Sequence, residues 1–220
     1  MNGIQYIEIP RTEILRYLGY GRHEADEQVH SLVEQCVQEL KRTAQPRHIV
    51  REFPLQLKED YEIDCTCLVT HSKNLWKNLA DCDRILLFAA TLGTEVDHLI
   101  ERYNKIQMSK AVILQAASAA MLEEYCDQVN ENIKREYLEK KLYLRPRFSP
   151  GYGDLPLECQ VPFSQAMELN KRVGITLTDS LLMSPSKSVT AFIGVSSIQR
   201  ECTTKGCEVC RKTNCAYRRG

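Results

Sequence analysis

The chain has 220 residues, and its 29 lysines and arginines balance 29 aspartates and glutamates. This neutral balance gives no overall electrostatic attraction to nucleic acid or to an acidic membrane surface. The longest apolar run, residues 85–92, is far shorter than the ~18 residues that cross a bilayer, and residues 1–10 lack a secretory signal pattern. We therefore expect a cytoplasmic protein without a membrane partner, whose ten cysteines are reduced unless they bind metal or do redox work.

The first half of the chain alternates helical and strand patterns. Apolar residues at helical spacing predict an amphipathic helix over residues 25–42. Residues 48–69 have a short-period pattern interrupted by Pro54, which favours two strands or a hairpin. Ser72 is placed to cap a short helix that ends near Leu79. The apolar run at residues 84–90 is typical of a buried strand, and a helix should follow to about residue 103.

The second half begins with a long helical segment. Residues 108–141 contain no glycine or proline, which predicts one long helix whose small residues at 116–120 admit either tight packing or a ligand. Prolines and glycines enforce a loop over residues 146–156. A helix over residues 162–173 should stop at Gly174, and strands should occupy residues 175–178 and 188–196.

This order of elements contains no regular βαβ repeat and indicates an α+β fold, with a mostly antiparallel sheet and packed helices. Neither a dinucleotide-binding glycine motif nor a phosphate-binding loop is present in the sequence. We expect one domain over residues 1–199 and a basic, cysteine-rich tail over residues 200–220.

The segment Arg-Phe-Ser-Pro-Gly-Tyr at residues 147–152 is the most informative in the chain. An arginine fixed beside a Pro-Gly turn presents a planar donor fork that suits a carboxylate, and a glycine lets a ligand approach the backbone. Tyrosine adds a flat face and one hydroxyl. These residues predict a loop near a small anionic ligand, or an arginine that only pins the loop.

Together with Leu-Thr-Asp-Ser-Leu-Leu-Met-Ser-Pro at residues 177–185 and Ser-Val at 188–189, this loop resembles the activation domain of cobalamin-dependent methionine synthase. The strong resemblance covers residues 145–191. It implies a C-shaped α+β domain that binds S-adenosylmethionine in a shallow groove, contacted by Arg147, Gly151 and Tyr152. It also implies a contact from a glutamate on the long helix, for which Glu123 matches best and Glu124 is the alternative.

The same resemblance implies a function in methionine biosynthesis. The chain would support reductive methylation of cob(II)alamin on a partner methionine synthase that lacks its own activation domain, with an electron from a flavodoxin-like donor. It would act as the activation subunit of that methyltransferase rather than as a complete enzyme. Positioning the methyl group is then its main contribution.

The sequence also departs from the family. The large enzymes follow the tyrosine with a Cys-Pro-acid-His stretch, whereas this chain continues Gly-Asp-Leu-Pro-Leu-Glu over residues 153–158. An N-terminal Asp-Trp motif is absent, because the only tryptophan is Trp76. Both differences favour a divergent, separately encoded activator.

The tail carries Cys202, Cys207, Cys210 and Cys215 with C-x4-C-x2-C-x4-C spacing among basic residues. Four thiolates this close in sequence can surround one zinc ion or an iron–sulfur cluster. Disulfide redox chemistry and a reduced tail without metal are the alternatives.

Other function classes remain open at this point. A zinc knuckle that contacts nucleic acid is one of them, although the neutral charge of the chain and the scarcity of aromatic residues in the tail argue against a nucleic-acid partner. Reactivation of a different corrinoid methyltransferase protein is another.

Overall fold

The structure is a computed structural model that describes residues 7–20 and 25–200. These residues divide into two compact units. The helical unit contains residues 7–20, 25–46 and 92–127, and the sheet unit contains residues 47–91 and 128–200. No helix of the described ranges is long and apolar enough to cross a membrane.

The described helices, in chain order, are α1 (Arg11–Tyr17), α2 (Glu27–Thr43), α3 (Lys73–Asn78), α4 (Thr94–Ile106), α5 (Met108–Glu139), α6 (Gln160–Met167) and α7 (Leu169–Val173). The strands are β1 (Arg47–Pro54), β2 (Gln56–Leu57), β3 (Glu62–Asp64), β4 (Val69–His71), β5 (Arg84–Thr91), β6 (Tyr143–Leu144), β7 (Thr176–Leu177), β8 (Met183–Ser184) and β9 (Ser188–Ser196). Short 3-10 turns occupy Glu59–Tyr61 and Leu157–Cys159.

In the helical unit, α2 and α4 are joined by a buried apolar face and by polar contacts. Asp26 caps α2 by accepting a hydrogen bond from Val29 N at 2.8 Å. Glu39 on α2 accepts hydrogen bonds from Arg102 at 2.7 Å and from the Tyr103 hydroxyl at 2.8 Å. The helix predicted over residues 25–42 is confirmed, and its apolar stripe supplies the core of this unit.

In the sheet unit, the main sheet has the strand order β1-β5-β9-β6, and every pairing is antiparallel. β5 pairs with β1 on one side and with β9 on the other, so that Phe88 lies opposite both Val50 and Ala191. All nine residues of β9 except Val189 are buried, which shows that both faces of this strand are covered. The predicted α+β class with an antiparallel sheet is confirmed.

A hydrophobic core lies against this sheet. Leu75 of α3, Phe163 of α6 and Phe192 of β9 are essentially inaccessible to solvent. The rings of Phe163 and Phe192 meet edge to face, with their centroids 5.3 Å apart. Two small sheets, β2-β3-β4 and β7-β8, complete the unit.

One prediction for this region was wrong: the helix expected over residues 162–173 is broken at Glu168 (φ 50, ψ 44). In a continuous helix, side chains two residues apart are rotated by about 200° around the helix axis, so they lie on nearly opposite faces. Met167 and Leu169 are nevertheless both fully buried. The left-handed residue between them reorients α7, and Gly174 (φ 75) ends that helix as expected.

Candidate functional site

The loop with the Arg-Phe-Ser-Pro-Gly-Tyr motif is fixed to strand β9. Arg145 N donates to Gly194 O at 2.8 Å, and Phe148 and Phe192 exchange backbone hydrogen bonds of 2.9 and 2.8 Å. Leu144 pairs with Val195, and Phe148 pairs with Phe192. Between these two pairs the loop advances four residues while β9 advances three, so the loop side holds one extra residue. Arg147 is in this bulged segment, and bulges commonly redirect a side chain from the plane of a sheet.

The turn after Arg147 requires glycine. Gly151 and Gly153 have φ values of 81° and 59°, in the left-handed region that glycine adopts without strain. Gly151 N donates to Leu155 O at 3.0 Å, and Tyr152 N donates to Ser149 O at 3.1 Å. A Cβ atom on Gly153 would lie 2.7 Å from Asn74 Nδ2, so the loop packs closely against α3 at this point.

Asp154 ties the same loop to the N-terminus of α3. Its carboxylate accepts hydrogen bonds from Ser72 Oγ at 2.5 Å and from Lys73 N at 2.9 Å. These donors, with Asn74 N, lower the pKa of the Asp154 carboxyl group below its ordinary value. The sequence pattern indicates the Ser72 cap but not its contact with Asp154, since residues 82 positions apart share no local pattern.

Tyr152 presents an aromatic face to solvent. The side chain is 69% exposed, and its ring contacts buried Phe148 edge to face at a centroid distance of 5.4 Å. The nearby Arg147 is half-buried. Three of the residues expected to contact a ligand, Arg147, Gly151 and Tyr152, therefore lie on one loop whose backbone is hydrogen-bonded to β9 and whose next residues are anchored to α3.

The second motif, at residues 177–185, forms the β7–β8 hairpin. Thr178 organises its tip, since Thr178 Oγ1 accepts from Leu182 N at 3.1 Å and lies 3.0 Å from Ser180 Oγ. Beyond the hairpin, Ser188 Oγ donates to Pro185 O at 2.7 Å or to Thr91 Oγ1 at 2.9 Å. These hydroxyl groups fix the tip of the hairpin and the start of β9.

Glu123 belongs to α5 in the helical unit, and its side chain is exposed to solvent. With Glu124 it lines a cavity of about 200 Å³ in that unit. Glu13, Tyr17 and Ala120 also line this cavity. Ala117 and Ser118 of the small-residue segment are fully buried, as the packing interpretation predicts, whereas Ala120 borders the cavity.

The four cysteines proposed as metal ligands, Cys202, Cys207, Cys210 and Cys215, lie outside the described residues. Within residues 7–20 and 25–200, no group of three or more His, Cys, Asp or Glu side chains is arranged to hold a metal ion. A metal or cluster in the tail therefore stays a prediction, as does a domain boundary near residue 200.

Comparison with known proteins shows the family and the fold. Residues 37–201 match the model of the family described as vitamin B12 dependent methionine synthase, activation domain. A solved structure described as the MetH reactivation domain bound to AdoHcy shares the fold, with a TM-score of 0.63 and 17% sequence identity. The match covers 86% of this chain and 75% of that one. The chain belongs to the family of vitamin B12 dependent methionine synthase activation domains.

Proposed function

We propose that this chain binds S-adenosylmethionine and supports reductive remethylation of cob(II)alamin on a partner methionine synthase that lacks its own activation domain. Family membership over residues 37–201 supports the reactivation role. The related reactivation domain was crystallised with AdoHcy, which is S-adenosylmethionine without its methyl group. A flavodoxin-like protein would supply the electron.

The observation that carries the proposal is the constrained loop with Arg147, Gly151 and Tyr152. The bulge opposite β9 and the Asp154 anchor hold the backbone on both sides of these residues. Preorganisation of this kind lowers the entropy cost of ordering a binding loop around its ligand.

The chemistry of these residues fits an amino-acid nucleoside. The planar guanidinium of Arg147 suits the ligand carboxylate, with which it can form paired charge-assisted hydrogen bonds. The exposed ring of Tyr152 offers an apolar face for the adenine, and Gly151 permits close approach of the ligand to the backbone.

When bound, S-adenosylmethionine supplies an electrophilic methyl group on a sulfonium. The chain's own contribution is to hold the ligand in one orientation and to limit the access of water. This task needs no general acid or base from the protein. The loop residues fit this task, because they provide a guanidinium, an aromatic face and backbone groups for holding the ligand.

Glu123 is proposed as a further ligand contact, with Glu124 as the alternative. Both carboxylates line the cavity of the helical unit, where a cationic or hydroxyl-bearing part of a ligand would be favoured. Separate Glu123→Gln and Glu124→Gln variants assign the role, since only the residue in contact should weaken S-adenosylmethionine binding when its charge is removed.

The proposal is tested with a partner corrinoid protein in its cob(II) state. The full chain, S-adenosylmethionine and reduced flavodoxin should convert the cob(II) absorption spectrum to that of methylcobalamin and release S-adenosylhomocysteine in equal amount. Omission of the chain or of S-adenosylmethionine should abolish the conversion. Methylation of a small molecule or a nucleic acid without any corrinoid protein would contradict the proposal. Ligand binding without cob(II) conversion would contradict the reactivation role alone.

A further inference from the structure

A close pair of cysteines lies in the turn between β3 and β4, apart from the proposed ligand loop. The sulfur atoms of Cys65 and Cys67 are 3.6 Å apart, and the Cys65 thiol is also 3.4 Å from Leu68 O. Cys65 is completely buried, whereas Cys67 is partly exposed to solvent. Cys67 is therefore the more solvent-accessible residue of the pair.

The backbone of this turn brings the two sulfurs together. Cys67 N donates to Cys65 O at 2.7 Å, which closes a three-residue turn around Thr66. Thr66 has a φ of 69°, uncommon for a β-branched residue, and its amide is held by Asp64 Oδ1 at 2.9 Å. The pairing of Asp64 with Val69 closes the hairpin around the turn. The fold thus maintains a strained conformation that keeps both thiols close to each other.

The pKa values of the two thiols are shifted in opposite directions. The hydrogen bond with Cys65 lowers the pKa of the Cys67 thiol, and the positive charge of Arg51 contributes in the same direction. The hydrogen bond with Cys67 and burial both raise the pKa of Cys65. Asp64 opposes ionisation of both thiols. Cys67 is therefore favoured as the thiolate, and Cys65 as the thiol that responds second.

We propose that Cys65 and Cys67 form a redox-active dithiol that is oxidised reversibly to a Cys65–Cys67 disulfide by low-molecular-weight disulfides such as oxidised glutathione. The separation of 3.6 Å must shorten to the ~2 Å of an S–S bond. Rotation of the partly exposed Cys67 side chain and a small shift of the turn would accomplish this.

The reaction proceeds by thiol–disulfide exchange. The Cys67 thiolate attacks one sulfur of the external disulfide, forms a mixed disulfide and releases the first small thiolate, which takes a proton from solvent. Cys65 then gives up its proton to solvent and attacks Cys67 Sγ, which displaces the second small thiolate. In total the protein loses two electrons and two protons, and the external disulfide gains both as two thiols.

Other described cysteines provide the contrast. Cys36 and Cys126 are fully buried, and burial raises the pKa of Cys36 to about 11. Cys159 lies 2.8 Å from Thr70 Oγ1, and burial raises its pKa as well. Cys82 is half-buried, and burial raises its pKa too. Among the cysteines of residues 7–20 and 25–200, only this pair combines a partly exposed residue with a second sulfur 3.6 Å away.

The test is peptide mapping of the full-length protein after equilibration in glutathione redox buffers. Trypsin cleavage after Lys58 and Lys73 releases residues 59–73, whose only cysteines are Cys65 and Cys67. The proposal predicts that oxidising buffer yields this peptide lighter by two hydrogen atoms and resistant to alkylation, and that dithiothreitol restores both thiols. The folded protein should form the disulfide in this peptide faster than protein unfolded in urea, since only the fold holds the two sulfurs 3.6 Å apart.

Cysteine variants separate the two steps. Cys65→Ser should stop at a glutathione adduct on Cys67, and Cys67→Ser should leave Cys65 as an unmodified thiol. Cys82→Ser is the matched control and should oxidise in residues 59–73 like the wild type. A wild-type peptide that keeps both thiols, or that retains a glutathione adduct without closing, overturns the proposal. If a variant does not fold, the comparison of folded with urea-unfolded wild-type protein still tests the proposal.

Discussion

The Ser72 hydroxyl donates to Asp154 Oδ1 at 2.5 Å while it accepts from Leu75 N at 3.0 Å. One side chain thus both caps helix α3 and fastens the residue that follows the Arg147–Tyr152 loop. The stability of a six-residue helix and the shape of the proposed ligand loop are coupled through this pair.

The first prediction is that Ser72→Ala lowers the free energy of unfolding by about 1 kcal/mol, the usual effect of losing a helix cap. It should also weaken S-adenosylmethionine binding, because the Asp154 anchor loses one donor. Denaturant unfolding and titration calorimetry measure the two effects.

Asp26→Ala is the matched control, since Asp26 caps α2 of the helical unit in the same manner. It should cost similar stability and leave ligand affinity unchanged. An equal loss of affinity in both variants would mean that general destabilisation, rather than the loop anchor, controls binding.

The second prediction concerns acid. Because the pKa of Asp154 is lower in the folded protein than its ordinary 3.8, the unfolded chain binds more protons between the two values. The stabilisation by the ionised Asp154 carboxylate is complete at a pH above the ordinary pKa, and it is lost as pH falls through the pKa of the folded protein. Asp154→Asn should therefore be less stable than wild type at pH 7, with a smaller decline of stability below pH ~4. Parallel acid curves for the two proteins would argue against this assignment.

The third prediction is that Arg147→Ala weakens S-adenosylmethionine binding by tenfold or more, from loss of charge-assisted hydrogen bonds of about 1.5–3 kcal/mol. Arg147→Lys should recover only part of the affinity, because an ammonium lacks the planar fork. Arg172→Ala, which removes an exposed ion pair with Glu168 in the same unit, should bind like wild type. Unchanged calorimetric affinity in Arg147→Ala would remove this residue from the site.

The fourth prediction tests the packing beneath the loop. A Cβ atom on Gly194 would lie 2.7 Å from Cys82 Sγ and 2.8 Å from Leu79 Cδ2. Gly194→Ala should therefore cost about 1–3 kcal/mol of unfolding free energy. Adding Cys82→Ala should recover part of this loss, because it removes the nearest atom. Strict additivity of the two changes in denaturant unfolding would show that the sulfur does not impose the constraint.

The fifth prediction is that anaerobically purified protein holds one metal centre per chain, bound by Cys202, Cys207, Cys210 and Cys215. Replacing any one of them by serine should remove it, while S-adenosylmethionine binding stays intact. Metal analysis and visible absorption distinguish zinc from an iron–sulfur cluster. Metal-free, fully active protein with four titratable tail thiols would exclude both.

The sequence determined the elements whose patterns are local. The helical spacing in α2, the glycine-free length of α5 and the Ser72 cap could each be predicted, because side chains within one turn or one strand decide them. The resemblance further supplied Arg147, Gly151 and Tyr152 as neighbours on one loop. Pairing of that loop with β9 was not predictable, since it joins residues far apart in the chain.

Only the tertiary structure decided the contacts that join distant segments. The break at Glu168 exists because Met167 and Leu169 both enter the core, and a continuous helix pattern concealed it. Asp154 reaches Ser72 across 82 positions. Burial and long-range hydrogen bonds fix these features, and neither leaves a periodic pattern in the sequence.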